Sequence, residues 1–205
     1  MKNLLFVLIA TLVLSGCETD FTNYYADGED KGIAIFSDEF NNISSCFIAG
    51  KPWRTVSRKS SGFPGVHTSY EVDIFRQKSI VAKDTLIIRW YGYFEKRGNL
   101  YGQSYLDLHL ALPANSTFKD LSILQGKRIN IDSTNGFFML TDPGINPTNI
   151  KGTGSIYFHT SRFDSVATNG YNGNISGLFE VDFTSFKITK GRFDHFITEE
   201  QMRNF

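Results

Sequence analysis

The sequence predicts an all-β domain: an antiparallel β-sandwich or, as the alternative, a closed β-barrel of lipocalin-like type, with about nine or ten strands. Three observations lead there. Short runs alternate apolar and polar residues with a period of two, as in Ser104 to Leu112, where Leu106, Leu108, Leu110 and Leu112 fall on one side. Turn residues separate the runs at close spacing, among them Asn135-Gly136, Asp142-Pro143-Gly144 and Asn169-Gly170. No stretch of useful length carries the 3.6-residue apolar period of an amphipathic helix. Alternation says which side of a strand is buried but not whether the sheet closes on itself, so sandwich and barrel both stay open.

Taken in order, Ser45 to Ala49 is a short β-type run, Gly50-Lys51-Pro52 a turn and Trp53 to Val56 a return. Lys59 to Val66 holds Ser60, Ser61, Gly62, Pro64 and Gly65 and reads as a loop. His67 to Phe75 alternates, with Val72 and Ile74 on one face. Thr85 to Phe94 is the clearest strand. It puts Leu86, Ile88, Trp90, Gly92 and Phe94 on one side and Ile87, Arg89, Tyr91 and Tyr93 on the other. Ser104 to Leu112 follows, with Tyr105, Asp107, His109 and Ala111 facing outward, and Pro113 ends it. Phe118 to Leu121 allows one helical turn, too short to shape the fold. Ile129 to Ile131, Gly136 to Thr141 and Gly154 to Thr160 are further strands. The last pair, Asn174 to Phe183 and Phe186 to Phe196, is joined by Thr184-Ser185 and puts Ile175, Gly177, Phe179, Val181 and Phe183 on one face.

Ahead of this body, Lys2 precedes an apolar run from Leu4 to Leu14 broken only by Thr11. As a helix that run spans roughly 16 Å, half of a bilayer core of about 30 Å, so it reads as a cleaved signal peptide rather than a membrane span. Leu14-Ser15-Gly16-Cys17 resembles the lipobox of bacterial lipoproteins, which implies cleavage after Gly16 and a lipid on Cys17. The expected organisation is therefore a signal peptide over 1–16, an acidic flexible tether over 17–32 and a single all-β domain over 33–205. Acidic residues just after Cys17 are similar to the surface-export signals of Bacteroidota lipoproteins, so the expected address is the outer membrane, facing the periplasm or the surface.

Two further stretches carry a resemblance. Phe47-Ile48-Ala49-Gly50-Lys51-Pro52-Trp53 is similar to the opening of small Bacteroidota lipoproteins, although Ala49 stands where that pattern has Asn or Asp. Ile175-Ser176-Gly177-Leu178-Phe179-Glu180-Val181 with Lys187-Ile188-Thr189-Lys190-Gly191-Arg192-Phe193 resembles their closing pattern. The resemblance implies an all-β envelope domain and brings no catalytic residues with it.

The 205-residue chain less its first 16 leaves 189 residues, enough for one large domain. Lys2 is the only charge in the leader, so the remainder carries 20 basic against 21 acidic side chains, a balance of −1. That surface has no electrostatic footprint for nucleic acid and no polybasic stripe for anionic lipid. With Cys17 acylated, Cys46 is the one remaining thiol, so no internal disulfide forms and Cys46, within an apolar run, is expected buried and inert.

No Gly-x-Ser-x-Gly elbow or His-Glu-x-x-His helix occurs, and no metal or cofactor is expected. Asp107 and His109 share one strand face and are the best candidates for proton transfer or metal binding, but two residues are not three ligands. Asp194 and His195 are adjacent in a strand, so they point to opposite faces. The stronger lead is aromatic: Trp90, Tyr91, Tyr93, Tyr101 and Tyr105 around one hairpin form a candidate binding surface for a glycan, or an anchor for an envelope-protein partner. The sequence thus points to a lipid-anchored binding or interaction module, with a structural or accessory subunit as the alternative and an enzyme as the least supported class.

Overall fold

The computed structural model describes residues 28–30, 32–36, 41–55, 58–62, 65–69, 71–79, 83–96, 99–142, 148–165 and 171–204. Among the described residues the protein is almost all β, and helix is confined to two short 3-10 turns. In chain order the strands are β1 (Ile43–Ile48), β2 (Lys51–Thr55), β3 (Arg58–Gly62), β4 (Gly65–Ser69), β5 (Val72–Gln77), β6 (Lys83–Lys96) and β7 (Asn99–Pro113). They continue with β8 (Arg128–Ile131), β9 (Gly136–Asp142), β10 (Thr148–Ser165), β11 (Tyr171–Asp182), β12 (Lys187–Thr198) and β13 (Met202–Arg203).

The all-β expectation holds, and of its two architectures the closed barrel is the one formed. Eight strands pair antiparallel in the order β1, β2, β6, β7, β9, β10, β11, β12, and β12 returns to β1. Ladders from Ile43 opposite Asp194 to Ile48 opposite Ile188 make that closing seam. Closure removes the free edges that an open sheet would leave. β5 continues the barrel wall beside the first half of β6, β2 pairs with its second half, and β13 adds to β5 in parallel. β8 and β9 likewise share β10. β3 and β4 form a separate two-stranded ribbon, although Lys59 to Val66 was expected as a loop, and the single strand expected over His67 to Phe75 is divided between β4 and β5.

The turn between β1 and β2 is Ala49-Gly50 rather than Gly50-Lys51-Pro52. Both residues have positive φ, 50° and 73°, the mirror-image turn whose twist suits a two-residue hairpin, and Pro52 lies inside β2. The other local surprise is Phe118–Leu124, a 3-10 helix whose Phe118, Leu121 and Leu124 are buried with the barrel core. Ser161 on β10 donates to the Leu121 carbonyl at 2.8 Å. Short as it is, this turn supplies core side chains, contrary to the expectation that it would not shape the fold.

Inside the barrel, alternation does what the sequence promised. Leu86, Ile88 and Trp90 of β6 meet Leu106 and Leu108 of β7, Phe138, Ile156, Phe158, Phe179 and Phe193, all at 2% exposure or less. Trp90 stacks on Phe179 with ring centroids 5.6 Å apart and an interplanar angle of 12°. Gly92 is there because a Cβ would overlap the Trp53 ring, whose Nε1 donates to Ser104 Oγ at 2.8 Å. Cys46 is 0% exposed, and burial pushes its thiol pKa up, which suits an inert core residue.

The N-terminal strap joins the body earlier than the expected boundary at residue 33. Asp30, within the span expected as a flexible tether, pairs with Lys190 and with Arg192, whose Nη2 donates at 2.7 Å. Ala34 N donates to Ser45 Oγ at 2.9 Å and Arg192 Nη1 to Ala34 O at 2.7 Å, while Ile33 is fully buried. Cys17 lies outside the described residues.

Candidate functional site

Two parts of the outer wall carry the chemistry. The first is built by β5, β6, β7, β9 and β10, whose registers place Asp73, Arg89, Asp107, Met139 and Lys151 opposite one another in a single row. A neighbouring row runs Tyr91, Tyr105, Thr141, Asn149, and another runs Phe75, Ile87, His109, Phe137. These are outward positions by the period of two, yet Asp73 and Asp107 among them are buried by their neighbours.

Arg89 donates through Nε and Nη2 to the two Asp107 oxygens at 2.8 and 2.7 Å. Asp107 is 0% exposed. Burial, the largest single influence, would raise its pKa, but the hydrogen bonds and charges of Arg89 and His109 together outweigh it and hold the carboxyl below the usual range. The same pairing raises Arg89. The guanidinium also lies 5.7 Å from the Tyr105 ring centre and 5.6 Å from that of Phe75. Tyr91 meets Tyr105 edge-on at 5.1 Å and donates to Asp73 at 2.8 Å, and burial with that bond pushes its pKa up to about 12.

The five aromatic candidates are therefore not one surface. Trp90 is a correction: its side chain is inside the barrel at 0% exposure, because it shares the inward face with Leu86 and Ile88. Tyr91, Tyr93 and Tyr105 are half-buried on the outer wall, and Tyr101 is exposed at 43%, stacked on Phe94 at 5.9 Å.

Asp107 and His109 do share a face, but His109 Nε2 stands 3.8 Å from Asp107 Oδ2, beyond hydrogen-bond reach, and its ring is stacked on Phe137 at 4.2 Å. No three His, Cys, Asp or Glu side chains converge as metal ligands among the described residues. Asp194 and His195 split across the sheet as expected. Asp194 accepts from Asn41 N, while His195 is buried inside with Nε2 2.7 Å from Ser44 Oγ. Burial lowers the His195 pKa to about 3. Sequence reading misses this Ser44 and His195 pair because the seam joins residues 151 positions apart. The pair is sealed in the core, with both residues at 1% exposure or less, and so serves as a neutral hydrogen-bonded core element.

The second part is a cleft of about 350 Å³ over β8, β10, β11 and β12, bordered by Asp30, Arg128, Leu178, Glu180, Lys190 and Arg192. Its cations come from two strands, Arg128 from β8 and Lys190 and Arg192 from β12, which no local spacing in the sequence brings together. Another cleft, of about 440 Å³, opens at the end of β7 beside Asn115, Ser116, Lys119 and Ile123. No protein-family model, no curated protein and no solved structure matches this chain.

Proposed function

We propose that this chain is a lipid-anchored lipoprotein of the outer membrane that acts as a binding or interaction module through the outside of its barrel. The observation that carries this reading is the filled interior. Trp53, Trp90, Phe138, Phe158, Phe179 and Phe193, each below 2% exposure, occupy the space where a barrel of this size would hold a small ligand. Recognition then falls to the outer wall, where Tyr93 and Tyr101 of the β6 and β7 hairpin offer aromatic side chains to a glycan or other nutrient. The lipobox-like Leu14-Ser15-Gly16-Cys17 supports anchoring, and the opening and closing motifs support kinship with the small Bacteroidota lipoproteins.

Binding of the full chain to a panel of envelope and dietary glycans tests the reading. Tyr93→Ala and Tyr101→Ala are expected to abolish binding while leaving the unfolding midpoint near that of the parent. A flat response to the whole panel would overturn glycan recognition, and cross-linking to a defined envelope protein would then favour an accessory subunit. Cys17→Ala is expected to release the protein from membranes; unchanged retention would overturn the anchor.

A further inference from the structure

The cleft on the far wall has a polarity of its own. Across it the registers align Arg128 of β8 with Tyr157 of β10, Tyr157 with Leu178 of β11 and Leu178 with Arg192 of β12. Three strand spacings separate the two arginines, about 14 Å at the backbone. At one end Lys190 and Arg192 each hold one oxygen of the Asp30 carboxylate. At the other end Arg128 lies 5.7 Å from the Tyr157 ring centre, and no carboxylate among the described residues pairs with it. Between them Leu178 is 37% exposed, an apolar floor between two cationic ends.

We propose that this cleft binds a short dicarboxylate with an apolar middle. One carboxylate takes the place of Asp30 between Lys190 and Arg192, the other pairs with Arg128, and the chain between them crosses Leu178. Asp30 is the internal precedent: Lys190 and Arg192 already accept a carboxylate in this geometry, so the exchange swaps one anion for another without leaving two cations unpaired. Arg128 then supplies the added affinity, because a guanidinium suits a carboxylate and this one has none. A cleft of about 350 Å³ sits at the small end of ligand sites and suits a short diacid rather than a polymer. Glu180 on the border disfavours a third anionic group.

Calorimetric titration of the full chain with adipate, hexanoate and 1,6-hexanediol at low ionic strength tests this. Adipate is expected to bind about tenfold more tightly than hexanoate, the scale of one charge-assisted hydrogen-bonded pair, and hexanediol not at all. Asp30→Asn, which keeps the shape and removes the competing charge, is expected to tighten both acids. Arg128→Gln is expected to bring adipate down to the level of hexanoate. The proposal is overturned if adipate binds neither the parent nor Asp30→Asn, if adipate and hexanoate bind alike, or if Arg128→Gln leaves adipate unchanged.

Discussion

Arg89 on β6 grips Asp107 on β7 through two parallel hydrogen bonds, Nε to Oδ1 at 2.8 Å and Nη2 to Oδ2 at 2.7 Å, while the Asp107 side chain has no exposed surface. A charged pair at outward strand positions is thereby converted into part of the packing. Asp107→Ala strands a guanidinium that is still one-third exposed, so the expected cost is about 2 kcal/mol, below that of breaking a fully buried pair. Urea unfolding measures it, and the double variant Arg89→Met with Asp107→Leu is expected to recover most of the loss. Because the folded Asp107 pKa lies below its ordinary 3.8, its contribution is complete above that value and disappears as pH falls through the folded pKa. Asp107→Asn removes that acid-side slope.

His195 titrates in the opposite sense to a paired histidine. Its folded pKa is about 3 against an ordinary 6.5, so between those values the unfolded chain takes up a proton that the folded barrel refuses. Stability is expected to be unaffected by this group above pH 6.5. It then declines as pH falls toward 3, approaching tenfold in the folding equilibrium constant per pH unit. Denaturant midpoints across pH 4 to 7 read the slope, and His195→Gln is expected to flatten it even where the variant is less stable overall.

Gly92→Ala places a Cβ against the Trp53 ring and close to the Arg54 carbonyl. Trp53 cannot yield without giving up its bond to Ser104, so the expected destabilisation is about 1 to 3 kcal/mol. Near-ultraviolet circular dichroism of the tryptophans, followed through thermal unfolding, detects both the shift of the ring and the loss of stability.

Trp90→Ala and Tyr101→Ala separate core from surface. Removing Trp90 opens a cavity between Phe179 and Phe193 and is expected to cost about 3 to 5 kcal/mol. Tyr101, exposed and stacked on Phe94 alone, is expected to cost less than about 1 kcal/mol. Equal losses in chemical denaturation would contradict the inward placement of Trp90.

The period of two was enough to sort Leu86, Ile88, Leu106, Leu108, Ile175 and Phe179 into the core, because each strand buries one face along its own length. Closure was not legible, since the seam between Ile43 and Asp194 depends on partners at opposite ends of the chain. Nor was the sealing of the outer wall. Asp107 reads as outward and solvated, and only the register with Arg89 shows why a carboxylate there has no exposure. Trp90 was legible as inward by its own strand, and grouping it with the tyrosines by proximity in sequence set that alternation aside. The ribbon β3 and β4 hid behind Gly, Ser and Pro, which mark loops and hairpins alike.

The strap over the seam also has a mechanical side. Ser45 and Arg192 face each other across β1 and β12, and both are bonded to Ala34. A pull arriving along the N-terminal segment meets the Asp30 clamp and then these side-chain contacts before it loads the ladder between β1 and β12. A few side-chain bonds hold the strap while a ladder of backbone pairs holds the seam, so under tension the strap is expected to act as a fuse, parting before the barrel opens.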